Sequence, residues 1–420
     1  MIVPSLTSVR SYAGIAQDPL AAGRKLGVYA VLEGNVQKAG DRLRVTVRLI
    51  KVADGSSLWS STFDEKFTDV FTVQDTISQK VVDALALRLN AEEQKRLTKR
   101  YTEDLAAYQL YLTGRFHWNK LTPPEIAKSI GFFEESVQAD PRYALAYFGL
   151  AEAYRTLGIT GERPAKETFP KAIEAANKAL QLDPSLGEPH STLAMMHLWF
   201  DWDWAASERE AVEAIRLNPT SGVAHLAYAQ FLSTLGRHAE AIPEAVRGRE
   251  LDPVSLISNT REGAMLYLAR RHEEALARLQ KALELDPAFW VAQMYLGKTY
   301  LELGRNAEAL VAFNKAVEFS RGNPEAVSMV GYFAARTGDQ AQARAMLERL
   351  HSLAAQRYVP PYHIAVVHAG LGEQDQAVAE LERAYEERDP RVTWLKIEPS
   401  WDQFRSNQRF LDLLSRIGLQ

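Results

Sequence analysis

The chain contains no cysteine, which excludes disulfide bonds, cysteine nucleophiles and cysteine-ligated zinc. Neither sign of charge prevails, because 49 Lys and Arg residues stand against 53 Asp and Glu residues. We therefore expect no direct binding of nucleic acid by this chain. No apolar run reaches the roughly 18 residues that a membrane-spanning helix needs, so we expect no membrane span and, by default, a cytoplasmic location. A periplasmic location would require a span upstream of Met1.

The sequence also lacks the short motifs of common enzymes. It has no glycine loop ending in Lys-Ser or Lys-Thr, no nucleophile-elbow serine and no kinase or cyclase signature. His190 and His197 lie two turns apart, and His363 and His368 are too far apart around a helix to share one face, so neither pair has the spacing of a zinc helix. We predict no catalytic residue, no metal and no cofactor, and hence no enzyme.

What the sequence does contain is a repeat. Asp-Pro or Asn-Pro dipeptides recur at an interval of about 34 residues, with their prolines at Pro141, Pro184, Pro219, Pro253, Pro287 and Pro324. Each proline follows one amphipathic segment and precedes another. Because proline ends one helix and can precede the next, one period consists of a helix, a turn and a second helix.

Residues 290–324 show the repeat most completely, with Gly297, Tyr300, Gly304 and Ala309 in succession. This pattern resembles the tetratricopeptide repeat. Small residues let the two helices of a hairpin approach closely, and adjacent hairpins must stack because one hairpin cannot bury its own apolar face. The predicted fold class is therefore mainly α, with a tetratricopeptide α-solenoid of about eight helical hairpins at residues 104–390.

The flanking segments have different patterns. Apolar and polar residues alternate at 31–37, 43–49 and 58–64, with turns at Gly40 and Gly55, which predicts a three-stranded antiparallel meander in a small α+β domain at residues 1–90. A strand at 2–9 and helices near 19–26 and 73–89 complete this domain. The charged residues at 91–103 indicate a linker. Residues 391–420 are predicted to cap the solenoid, with one closing helix at 399–414.

The amino-terminal segment contains LEGNVQ at 32–37, GDRLRV at 40–45, LW at 58–59 and FTVQD at 71–75. These motifs are similar to those of the TolB-like, FlgO-like domain that bacteria place ahead of tetratricopeptide repeats. The resemblance implies the sensory half of a bacterial signalling protein, since a winged-helix, nucleotide-cyclase or serine/threonine kinase domain commonly heads such proteins. It also implies a truncated domain, because the family domain begins with a further strand and helix.

The candidate binding surface is the concave face, which repeat proteins build from the first helix of each hairpin. Its predicted residues are aromatic, Met and scattered charged side chains, which suit an extended or helical peptide. We predict that a protein or peptide partner contacts Phe148, Arg155, Met195, Trp199, Leu226, Gln230, Tyr267, Met294, Lys298, Tyr332, Arg336 and Tyr362. The alternative is that a tight superhelix buries several of these side chains.

Three functional hypotheses follow. The first is a non-enzymatic interaction scaffold or sensory module that binds its partner in the concave groove. The second is the regulatory half of a transcription regulator, adenylate cyclase or serine/threonine kinase whose effector domain lies upstream. An enzyme with its site in the groove is the third. In addition, an uncovered sheet edge favours self-association through the amino-terminal sheet, while Arg42, Arg44 and Arg48 indicate a solvated outer face rather than an anion site.

Overall fold

The computed structural model describes residues 18–66, 70–85, 99–120 and 122–420. Within this part of the chain the predicted class is confirmed, because a small α+β region precedes a long array of paired helices. The strand predicted at 2–9 and most of the linker predicted at 91–103 lie outside the described residues. The domain limits at 1–90, 104–390 and 391–420 stay predictions.

The α+β region begins with a helix, continues with three strands and ends with a second helix. These elements are α1 (Pro19–Leu26), β1 (Ala30–Ala39), β2 (Arg42–Lys51), β3 (Ser57–Lys66) and α2 (Val70–Ala84). The strands form an antiparallel sheet in the order β1-β2-β3. The predicted meander is therefore confirmed.

One face of this sheet is only partly covered. Val45 and Val47 of β2 are buried against Val73 of α2. Val36 of β1 pairs with Val45 and so lies on the same face, yet Leu32 and Val36 remain 45% and 63% exposed. Among the described residues β1 is an edge strand, and its apolar side chains have little cover.

The repeat region folds into eight helical hairpins within the described residues. In chain order the pairs are α3 (Leu105–Trp118) with α4 (Pro123–Ala139), α5 (Ala144–Ile159) with α6 (Ala165–Leu182), α7 (Glu188–Met196) with α8 (Trp204–Leu217), α9 (Gly222–Thr234) with α10 (His238–Leu251), α11 (Leu256–Leu268) with α12 (His272–Leu285), α13 (Trp290–Glu302) with α14 (Asn306–Phe319), α15 (Pro324–Arg336) with α16 (Gln340–Ala354), and α17 (Pro361–Gly370) with α18 (Gln374–Glu386).

Small residues and aromatic rings hold each hairpin together. A Cβ atom on Gly297 would lie 2.6 Å from the ring of Phe313, which is fully buried between α13 and α14. The same contact occurs in the first hairpin, where Phe133 packs against Gly114. Gly304 ends its helix with φ at 72°, a backbone conformation that residues with a side chain rarely adopt. The repeat pattern therefore encodes close helix packing and the turns.

The carboxy-terminal segment differs from the prediction of one closing helix at 399–414. Two short 3₁₀ helices, Pro390–Trp394 and Pro399–Phe404, precede helix α19 (Gln408–Ile417). The prediction was wrong because Asn407 has an extended backbone and caps a new helix, its side chain accepting a hydrogen bond from the amide of Phe410.

The carboxy-terminal segment is also buried more deeply than a cap on the end of the solenoid would be. Trp401, Phe404 and Phe410 have no exposed surface and belong to one core cluster with residues of α11–α18. Its polar groups reach the second and third hairpins as well: Arg391 donates to the carbonyl of Ile159 at 3.1 Å, and Arg388 to that of Phe200 at 3.0 Å. The superhelix therefore closes on its own carboxy-terminal segment.

Candidate functional site

The structure buries most of the predicted concave-face residues. Eight of them are at most 8% exposed, namely Met195, Trp199, Gln230, Tyr267, Met294, Lys298, Tyr332 and Tyr362. Phe148, Arg155 and Leu226 are half-buried, and Arg336 is exposed. The expectation of an open surface needs correction at the eight buried positions, whereas partner contact at the other four stays a prediction.

Part of this burial comes from the carboxy-terminal segment, which contacts side chains of α11, α13 and α17. The hydroxyl of Tyr267 donates to one oxygen of Glu398 at 2.7 Å, and the Nζ of Lys298 donates to the other at 3.1 Å. The indole of Trp401 donates to the hydroxyl of Tyr362 at 2.8 Å. In this half the chain itself therefore occupies the face that the first helices were predicted to offer to a partner.

Charge and burial shift the pKa values around Glu398. Burial and the nearby Glu398 carboxylate raise the pKa of Tyr267 well above its usual value. Burial alone would lower the pKa of Lys298, but attraction to Glu398, together with Tyr295 and Glu325, outweighs burial, so the pKa is raised. Lys298 is therefore a buried cation whose nearest counter-charge is Glu398.

A second buried polar cluster anchors the same segment. Arg391 forms ion pairs with Glu325 at 3.0 Å and with Asp389 at 3.4 Å. His363 lies near this cluster with only 2% of its surface exposed. Burial, reinforced by the positive charge of Arg391, lowers the pKa of His363 to about 3, although Glu325 opposes the shift. His363 is therefore neutral near pH 7.

The inner face of the earlier hairpins carries a separate polar cluster. Arg155 and Glu152 of α5 form an ion pair at 2.7 Å with side chains 22% and 13% exposed, and Glu152 also accepts from the hydroxyl of Thr192 at 2.8 Å. On α9 and α11, the amide oxygen of Gln230 accepts a hydrogen bond of 2.9 Å from Nη1 of Arg261. In this polar cluster Gln230 and Thr192 are buried, whereas Glu152, Arg155 and Arg261 are half-buried.

Arg261 differs from Lys298 and Arg155, which pair with carboxylates. It is half-buried, and among the residues that the structure describes no Asp or Glu forms an ion pair with it. Burial lowers its pKa and Arg155 lowers it further, while Tyr295 and Glu325 act in the opposite direction.

Sequence reasoning missed both Arg261 and Glu398. Arg261 stands two positions before Gly263, as Tyr295 stands two positions before Gly297. Comparison of equivalent repeat positions could therefore have placed Arg261 on the inner face. No sequence signal marks Glu398, because its partners lie on helices distant in the chain.

The strand arginines lie on a solvated outer face. Arg42 and Arg44 both form ion pairs with Asp64, and Arg48 pairs with Glu33. All three arginine side chains are more than half exposed. Such exposed pairs are weak, and their carboxylates offset the positive charge that an anion site would need.

Neither a metal centre nor a membrane span is found in the part of the chain that the structure describes. No group of three potential His, Asp or Glu ligands is suitably placed for a metal ion. His190 instead contacts Glu210, and His368 contacts Glu373. None of the described helices combines the length and apolarity needed to cross a membrane.

Known proteins are similar to this chain in part of its sequence or in its fold. The family described as "Regulator of microtubule dynamics protein 1-3" matches residues 271–330. Human IFIT1, solved as a "dimer with PPP-AAAA", has a TM-score of 0.50 at 14% identity, covering 75% of this chain and 78% of that chain. PilW, described as a "widely conserved type IV pilus biogenesis factor", has a TM-score of 0.42 at 18% identity, covering 53% and 97%. The fold is that of a tetratricopeptide-type α-solenoid.

One curated relative is similar in sequence. "Putative adenylate cyclase 3" of Rhizobium meliloti (strain 1021) is 30% identical over 205 residues, which cover 47% of this chain and 34% of that protein. The matched region thus spans about a third of the length of the relative.

Proposed function

We propose that this chain is a non-enzymatic interaction scaffold that binds a protein or peptide on the inner face of α5, α7, α9 and the amino-terminal half of α11. The supporting observation is the division of the inner face into two halves. The carboxy-terminal segment occupies the half that contains Tyr267, Lys298 and Tyr362. Phe148 and Leu226, which are predicted for the other half, are only half-buried; Leu226 also packs against Gly248 of α10, so part of each side chain is available to a partner.

The chain's own segment indicates what kind of partner fits. Residues 390–404 form two short 3₁₀ helices joined by a turn, and place one carboxylate and one indole against polar side chains of the inner helices. A peptide segment from another protein could use the neighbouring half of the face in the same way.

Photo-crosslinking in cells tests this proposal. A benzoylphenylalanine at Phe148 or Leu226 should capture a defined partner, whereas one at Val311, which is 55% exposed on α14, should not. With that partner purified, Phe148→Ala combined with Leu226→Ala should weaken binding by more than about tenfold, and Val311→Ala should leave it unchanged. Equal capture from Val311, or binding that survives the double substitution, would contradict the proposal.

A second candidate function is the regulatory half of a longer bacterial signalling protein. The similarity to the Rhizobium protein favours it, as does the resemblance of the amino-terminal motifs to the TolB-like domain. The partner of the inner face would then be an effector domain of the same polypeptide. Genomic sequence upstream of Met1 tests this candidate: an in-frame cyclase, kinase or winged-helix domain supports it, and an in-frame stop codon contradicts it.

A further inference from the structure

Two cations on the inner face and one in the carboxy-terminal segment have carboxylate partners within the chain. Lys298 pairs with Glu398, Arg155 with Glu152 and Arg391 with Glu325. Arg261 makes its one side-chain hydrogen bond, among the described residues, to the neutral amide of Gln230. Partly burying a cation without a counter-charge costs stability, so this arrangement requires an explanation beyond the fold.

The geometry leaves one side of the Arg261 guanidinium available. Nη1 is held by Gln230, while Nε and Nη2 have no hydrogen-bond acceptor among the residues that the structure describes. Arg261 as a whole is only half-buried. The Nε and Nη2 edge of a guanidinium can hold a carboxylate through two parallel hydrogen bonds.

We infer that Arg261, oriented by Gln230, binds an acidic side chain of the partner segment on the inner face. This inference rests on the proposed function and deepens it. It specifies that the bound peptide places a Glu or Asp side chain beside Gln230 of α9 and Arg261 of α11. Glu398 is an example of such binding within the chain, because Tyr267 and Lys298 of the same face already hold its carboxylate. A phosphate group would satisfy the same guanidinium, but the example of Glu398 favours a carboxylate.

Fluorescence anisotropy with labelled peptides tests the site. The probes are a peptide with the sequence of residues 393–404, the same peptide with Gln at the Glu398 position, and a third with phosphoserine there. Wild-type protein should bind the Glu peptide at least roughly tenfold more tightly than the Gln peptide. Arg261→Met should abolish that difference, and Arg216→Met, which removes a guanidinium with 65% of its side chain exposed on α8, should preserve it.

Thermal unfolding without peptide provides the second measurement. If Arg261 is kept for binding, Arg261→Met should raise the melting temperature, because it removes a partly buried charge that lacks a counter-ion. A lower melting temperature would assign Arg261 a structural role and overturn the inference.

The binding outcomes separate the two proposals. Preference for the phosphoserine peptide, no preference for Glu over Gln, or no peptide binding each overturns the carboxylate site. Crosslinking from Phe148 and Leu226 tests the proposed inner-face function independently of these peptide-binding measurements.

Discussion

Trp202 and Tyr385 stack with their ring centroids 4.8 Å apart, although they belong to the third and the last hairpin. Arg388 lies 3.8 Å from the centre of the Trp202 ring, and Arg416 lies 4.0 Å from that of Tyr385. Trp202 and Arg388 both have positive φ, at 58° and 57°, which is unfavourable for residues with side chains. Of the residues at this closure, Trp202 and the Arg388 that lies over its ring therefore have uncommon backbone conformations.

Trp202→Ala should open this closure. Loss of the stacked indole and its cation–π contact should cost about 2–4 kcal/mol of unfolding free energy, and small-angle scattering should show a larger radius of gyration. Trp118→Ala is the control, because Arg115 contacts Trp118 within the single helix α3. Equal radii for the two variants would contradict a role of Trp202 in closure.

Glu398→Gln should destabilise the protein by about 3 kcal/mol, because it leaves the buried Lys298 cation without its carboxylate. Adding Lys298→Met should recover part of this loss. Denaturant unfolding of the two single variants and the double variant measures the coupling. Glu348→Gln at an exposed site on α16 should change stability by less than about 0.5 kcal/mol. Strictly additive effects of the two buried substitutions would contradict the coupling.

Acid should destabilise the protein partly through His363. Its pKa is about 3 in the folded chain and about 6.5 in an unfolded one, so below pH 6.5 the unfolded state takes up a proton that the folded state does not. Stability should therefore fall as pH decreases from about 6.5 to 3, by at most about 1.4 kcal/mol per pH unit from this group. His363→Gln should flatten the pH dependence, whereas His351→Gln at an exposed position should not.

Gly297→Ala should destabilise the solenoid by about 1–3 kcal/mol, because its new methyl group would overlap the Phe313 ring. Gly131→Ala is the matched control: this glycine also lies within a helix, but no atom of another element lies within 4 Å of its added Cβ. There the better helix propensity of alanine should add up to about 1 kcal/mol. Thermal unfolding should show shifts of opposite sign, and a stable Gly297→Ala protein would contradict the packing argument.

The edge strand β1 makes self-association through the sheet a testable proposal. Val36→Lys places a charge on the uncovered apolar face and should weaken any dimer by roughly tenfold or more. Gln37→Lys adds the same charge on the opposite face of β1 and should have little effect. Analytical ultracentrifugation measures both, and a wild-type monomer at high concentration would contradict the proposal.

The sequence by itself determined the class of fold, the helical hairpins and their order. Gly297 and Phe313 lie in one repeat, and so do the turn at Gly304 and the proline at Pro324. Contacts of this kind join residues fewer than about 40 positions apart, within the length of one repeat. Periodicity and residue type are therefore sufficient to predict them.

Only the tertiary structure decided which part of the inner face stays available. The contacts of Glu398 with Tyr267 and of Trp202 with Tyr385 depend on the rotation accumulated over several hairpins. Small differences in packing at each hairpin add up along a superhelix, so a local pattern does not specify where its ends meet. The burial of Lys298 by the carboxy-terminal segment follows from that closure.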